Sequence, residues 1–163
     1  MLGDDPAALL VDLQERFSNA ILVEGDTRYE KVVARVVRMV EAPQVGFSLP
    51  LDLRGTAFQR RVWLTLREVP SGQTVSYEEL ARRIGSGKRA KAVASACASN
   101  PLAVAIPCHR VMRNDGTAFR YTWGIDRKCE LLRREASFAS DRFAAKSPRG
   151  SASVMIVRSA ASS

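Results

Sequence analysis

The chain is poor in the residues that staple, anchor or chelate. Among 163 residues it has one histidine and three cysteines. Cys97, Cys108 and Cys129 form no CxxC pair, which excludes a disulfide framework and a compact zinc site and predicts reduced thiols with no metal. There is no apolar run of about 18 residues to span a bilayer. The N-terminal MLGDDPAALL carries acids where a secretory signal needs a basic flank. Internal repeats are also missing. These absences predict a soluble, cytoplasmic protein with no membrane partner. Acidic residues are the scarcer sign, 17 against 25 basic ones, for a formal net charge of +8 and a pI of about 10.0. Such an excess suits a polyanionic partner, because neutralising phosphates releases condensed counterions. Lys and Arg that only solvate a surface would give the same total, so position has to decide.

What is present fits a globular chain. A hydrophobic content of 46% supplies one ordinary core, or two small subdomains sharing an interface. In DDPAALLVDLQERF, Asp5 can cap and Pro6 suits a first helical turn, with Leu9, Leu10, Leu13 and Phe17 on one face. In TRYEKVVARVVRMV, Thr27 and Glu30 fit a capping box, and Tyr29, Val32, Val33, Val36, Val37 and Val40 recur at helical spacing. VGFSLPLDL alternates as an edge strand would, with Pro50 facing away from the apolar side. Residues 1–52 therefore read as a small α/β piece.

The middle reads as three short helices. Thr56 with Gln59 opens one through about Glu68, and Ser76 with Glu79 opens a second at YEELARRIG. GSGK, with Gly85 or Gly87 in a left-handed turn, leads to a third over about 89–99, as in a helix-turn-helix. Ala90, Ala92, Ala94, Ser95, Ala96, Ala98 and Ser99 make it slim, and Lys88, Arg89 and Lys91 place positive charge at its start. A helix entering a DNA groove needs both features, although small residues also serve plain helix packing. LAVAIP then reads as a buried extended segment delivering Cys108, RNDGT as a hairpin-type turn, and DRKCELLRREA as a final helix capped by Asp126. Residues 137–163, rich in Ser, Ala and Arg, read as a disordered tail.

The stretch IPCHRVM puts Cys108 between Pro107 and the only histidine, His109. A thiol must lose its proton to attack, and nearby cations favour the thiolate. Adjacent residues on an extended chain point apart, so His109 reaches Cys108 through a water rather than directly. By residue type alone, a buried Cys beside a His is more often packing than chemistry.

The ordered set RGTAFQ, VW, the G-TVSY run, AVASACA, IPCHRV and YTWGIDRK, spread over about residues 49–136, resembles the O6-alkylguanine-DNA alkyltransferases, Ada-type C-terminal domains above all. The resemblance implies an α+β protein: a ribonuclease-H-like N-terminal α/β subdomain over 1–52, entered partway and so shortened, then a mostly helical winged-helix-like domain over 53–136. It implies a monomer that binds double-stranded DNA containing O6-alkylguanine, or O4-alkylthymine, and flips the base. The alkyl group then passes irreversibly to Cys108, once per molecule and with no cofactor. Its catalytic set would be Cys108, a water, His109 as base, Glu135 holding the imidazole, Asn100 supporting the active-site turn, and Tyr77 aiding the leaving guanine. The DNA and substrate set would be Arg89, Lys91, Ala92, Ser95, the backbone carbonyls of Cys108 and Val111, and the Tyr121 and Thr122 wall. Arg110 would be structural.

Two further departures are legible. Lys91 stands where the family has an intercalating arginine, and a lysine cannot stack as a planar guanidinium does. Phe119 and Arg120 stand where relatives carry small residues ending in Gly before the Tyr, which predicts a pocket that prefers methyl over bulky lesions. Two rivals share much of the sequence evidence. One is a lesion-binding alkyltransferase-like protein with impaired transfer, whose relatives lack the acceptor cysteine; the other is a winged-helix transcription regulator.

Overall fold

The computed structural model describes residues 2–146 apart from Glu24, Asp26, 44–49, Lys88 and Phe119, and over 139–146 the backbone only. Helix α1 (Pro6–Arg16) starts where Asp5 accepts a hydrogen bond from the Ala7 amide and Pro6 takes the first position, as its sequence dictates. Helix α2 (Thr27–Glu41) begins at Thr27 itself, so Thr27 is helical rather than the cap of a capping box. The faces expected to pack are only partly covered, with Leu9 and Leu13 of α1 half-buried and Leu10 and Phe17 exposed. α1 buries no residue and α2 buries Met39 alone, while Tyr29, Val32, Val33, Val36 and Val37 are exposed. Helical periodicity reports which side chains share a stripe, not whether a layer covers it. Most of the expected strand, 44–49, lies outside the described residues, and 50–53 form none. The described part of 1–52 is thus helical with no strand, and Leu51 and Leu53 pack instead against the core.

That core belongs to the second half. Helix α3 (Ala57–Arg67) carries a complete capping box: the Gln59 amide donates to Thr56 Oγ1 at 3.2 Å and the Thr56 amide to Gln59 Oε1 at 2.8 Å. Val62, Trp63 and Leu66 form its buried face. The Trp63 indole donates to the Ala96 carbonyl at 2.8 Å, satisfying the one polar atom of a side chain 1% exposed. Strand β1 (Val75–Ser76) leads into helix α4 (Tyr77–Arg83), which Ser76 caps by accepting from the Glu79 amide. Of the two glycines offered by GSGK, Gly85 takes the left-handed turn, at φ +72°. Helix α5 (Ala90–Ala98) buries Val93, Ala96 and Cys97 against α3 and α4.

A 3₁₀ turn (Cys108–Arg110) runs directly into strand β2 (Val111–Met112), which pairs in parallel with β1, Val75 opposite Val111. The turn after it closes through the Gly116 amide to Arg113 O and the Arg113 amide to Thr117 O at 3.1 Å, with Gly116 at φ +76°, and among the described residues the strand partner of β2 is β1. Helix α6 (Ile125–Lys146) starts one residue before Asp126, which lies in its first turn rather than at the cap. It also runs past Ala136 to Lys146, so the expected tail begins as helix; 147–163 lie outside the described residues. The class is α+β, dominated by helix. Among the described residues no helix is long and apolar enough to cross a membrane.

Candidate active site

The segment that delivers the cysteine is a chain of turns, not the extended run expected from LAVAIP. Val104 sits at φ +66°, a left-handed conformation costly for a β-branched residue. Asn100, 2% exposed, organises the turns. Its Oδ1 accepts from the Leu102 amide at 2.9 Å, and its Nδ2 donates to Ile106 O at 3.0 Å and to Cys108 Sγ at 3.2 Å. One amide side chain therefore fixes both the loop and the sulfur at its end, where an apolar residue would leave buried backbone groups unpaired.

Cys108 is buried, and burial pushes its thiol up, while the Asn100 hydrogen bond and then the Lys128 charge pull it down. The net direction is upward, so the resting group is a thiol. At rest, burial outweighs the nearby charge expected to favour the thiolate. The cation nearest in sequence, Arg110, is spent elsewhere: its Nε and Nη2 donate to Glu135 at 3.0 and 2.8 Å, and its Nη1 to Val69 O at 2.5 Å. Removing the thiol proton thus needs a base that acts during reaction.

His109 is the candidate. It is fully buried, and its Nε2 lies 2.9 Å from Glu135 Oε1. Burial holds the imidazole below its ordinary value despite the carboxylate, so the ring is neutral. The carboxylate accepts the Nε2 proton, which leaves Nδ1 as a lone-pair acceptor. Burial alone would raise Glu135, but His109 and Arg110 hold it down at about 2. The Gly72 amide, donating to Oε2 at 3.2 Å, completes the carboxylate's partners. Nδ1 has no partner among the described residues, so His109 makes no direct bond to Cys108.

Cys108 opens onto a cavity of about 360 Å³ walled by α4, α5 and the 120–122 segment. The structure brings Tyr77, Lys91, Ser95, Tyr121 and Thr122 to its lining, together with Arg120. The Tyr77 hydroxyl is pushed to about 12 by burial, then by Cys97 and Cys108, and so stays protonated. The Thr122 hydroxyl donates to Ala98 O at 2.8 Å. Ala92 lies on the same exposed α5 face as Lys91 and Ser95 but outside the cavity, and Arg89 stands at the cap of that helix. Val111 is buried, and its carbonyl accepts the Lys128 ammonium at 2.5 Å. Arg120 has φ +28°, on the glycine side of the map, and Phe119 lies outside the described residues, as does Lys88.

Sequence reasoning passed over Lys128, Arg110 as a partner of Glu135, and Cys97 on the cavity wall. Lys128 sits in what reads as an ordinary charged helix, and only packing reveals that it is buried.

Residues 57–137 match the family model described as 6-O-methylguanine DNA methyltransferase, DNA binding domain. The bifunctional transcriptional activator/DNA repair enzyme Ada of Escherichia coli is 51% identical over 136 residues, covering 83% of this chain and 38% of that protein. The chain thus spans well under half of that relative. The inducible methylated-DNA–protein-cysteine methyltransferase of Bacillus subtilis is 34% identical over 128 residues, covering 78% of this chain and 72% of that one. Among solved structures, Mycobacterium tuberculosis OGT in complex with DNA superposes with a TM-score of 0.64 at 41% identity, covering 67% of this chain and 68% of that one. With a cysteine, histidine and glutamate so arranged, and a relative matched over most of its length, this chain belongs to the methylated-DNA–protein-cysteine methyltransferase family.

Proposed function

We propose that this chain takes an alkyl group, methyl above all, from O6 of guanine in double-stranded DNA and keeps it on Cys108. O4-alkylthymine would be a second lesion of the same chemistry. The observation that carries the reading is one cavity holding the Cys108 sulfur, with an Asn100 N–H on that sulfur and behind it a neutral His109 bonded to the Glu135 carboxylate. In the step, an S–C bond forms, the C–O6 bond breaks, and the thiol proton leaves through a water to His109 Nδ1. Guanine departs after gaining a proton, for which the protonated Tyr77 is the donor on the wall. The thioether has no route back, so the protein acts once, as a methylated-DNA–protein-cysteine S-methyltransferase. The lesion is itself the alkyl donor, and the reading asks for no cofactor or metal.

Recognition follows from α5. Lys91, Ala92 and Ser95 share an exposed, slim face, and Arg89 adds charge at its start, as a groove-entering helix needs. An extruded base in the cavity would meet Cys108 and the Tyr121–Thr122 wall, whereas the Val111 carbonyl, expected as a contact, lies off that lining and accepts from Lys128. The domain reading is a shortened ribonuclease-H-like piece over 1–52 and a winged-helix-like unit over 53–136, acting as a monomer in the cytoplasm. What supports the transfer reading is the family membership and the names of the relatives, a DNA repair enzyme and a methylated-DNA–protein-cysteine methyltransferase. The test is to incubate the protein with duplex DNA bearing one O6-methylguanine and map peptides by mass. The expected result is one CH2 gained at Cys108, at no more than one equivalent, and none in Cys108→Ser. Loss of the lesion with Cys108 unmodified would overturn the reading.

A further inference from the structure

Two buried side-chain polar atoms lack a hydrogen-bond partner among the described residues, His109 Nδ1 and the Tyr121 hydroxyl. A buried orphan is uncommon, and two together mark a place where a small polar ligand belongs. They are neighbours: the rings of His109 and Tyr121 lie 6.5 Å apart between centroids and meet edge to face at 82°. Tyr121 shares the cavity wall with Cys108. The 6.5 Å is measured between ring centres; one water joins polar atoms up to about 5.6 Å apart, a span that rim atoms of adjoining rings can meet.

We infer that Tyr121 is a positioning residue, its hydroxyl holding the same water that links Cys108 to His109 Nδ1. This inference rests on the transfer reading above and adds to it a third arm. The three bonds are compatible with one another and leave one water hydrogen over. The Nε2–H of His109 donates to the Glu135 carboxylate, so Nδ1 accepts from the water. Burial, then the Cys108 and Glu135 charges, keep Tyr121 protonated, so its O–H donates to the water oxygen. The thiol fills the other lone pair. Three bonds are the usual number for a buried water. When the sulfur attacks, its proton passes to the water and one of the water's own protons passes to Nδ1. The Tyr121 proton stays in place throughout. A water held on three sides cannot swing away from the sulfur, whereas one held by His109 alone can.

The inference bears on the pH at which Cys108 ionises, so the other groups around that sulfur matter. Asn100 donates to it, Lys128 on α6 acts on it by charge, and Cys97 on α5 and Tyr77 on α4 share its cavity. Arg110 is engaged with Glu135. The substitution Tyr121→Phe keeps the ring and touches none of these. The experiment follows the rate of Cys108 alkylation by iodoacetamide against pH in both proteins, with peptide mapping, and the thermal melt of each. Tyr121→Phe should move the alkylation profile upward by up to about one pH unit, the worth of one hydrogen bond. Methyl transfer at neutral pH should fall by about tenfold. The melt should not rise, because the hydroxyl removed was bonded. An unmoved profile together with a higher melting temperature would show that the hydroxyl is a bare orphan and would overturn the inference. The transfer reading fails separately, if the native protein takes up no methyl group from the DNA.

Discussion

Lys91 and Arg120 are the two single residues whose chemistry reaches furthest into specificity. Both line the cavity. A guanidinium stacks as a plane on bases, whereas an ammonium is a hydrated point charge, so lysine fills the space left by an extruded base poorly. Lys91→Arg should therefore speed transfer from duplex O6-methylguanine more than from free O6-benzylguanine, in single-turnover rates measured side by side. Equal gains on both substrates would remove extrusion as the cause. Arg120 carries a backbone strain as well as a bulky side chain, at φ +28°. Arg120→Gly should raise stability by about 1 kcal/mol in denaturant titration, by relieving that strain. It should also raise the ratio of benzyl to methyl transfer by opening the wall. A ratio that stays fixed would place the limit on lesion size elsewhere.

Among the elements, the approach of α3 to its preceding turn is the least forgiving. A Cβ on Gly55 would stand 2.7 Å from two ring atoms of Trp63, whose indole is tied to Ala96 and cannot retreat. Gly55→Ala should cost about 1–3 kcal/mol by overpacking. Gly87→Ala, where the nearest neighbour is the flexible Arg82 side chain at 3.6 Å, should be close to neutral. Urea titrations of both variants check the pair, and equal costs would mean that helix entry rather than crowding sets the penalty. The element boundaries show which local signals suffice. Thr56 with Gln59 and Asp5 with Pro6 act within one turn, and each starts its helix where the sequence says. Thr27 fails as a cap, α6 outruns its apolar pattern, and LAVAIP bends into turns, the last because Asn100, outside that window, ties Leu102, Ile106 and Cys108.

For the whole molecule, the buried cluster of His109, Arg110 and Glu135 couples stability to pH. Glu135 is held at about 2 in the fold against 4.5 unperturbed. Its contribution is therefore full above the unperturbed value and is lost as pH falls from about 4.5 toward 2. His109 is lowered from 6.5, so the unfolded chain binds its proton first and stability also declines as pH drops below about 6.5. Both signs agree: the melting temperature should fall on acidification, beginning near pH 6 and steepening below 4.5. In Glu135→Gln the segment below 4.5 should flatten, and a melt that ignores pH over this range would show that the cluster is not closed in solution.

The sequence by itself determined the helical middle, the candidate nucleophile and the family, since capping boxes act locally and IPCHRV is contiguous. It also named Asn100, Tyr77 and Glu135 as partners, through resemblance rather than through any spacing along the chain. Only the tertiary structure decided that the thiol rests protonated, that Arg110 is held by Glu135, that Lys128 is buried, and that α2's valines lie open. The reason is physical: burial and charge pairing depend on which distant segments are packed around a group, and no short window of sequence contains them.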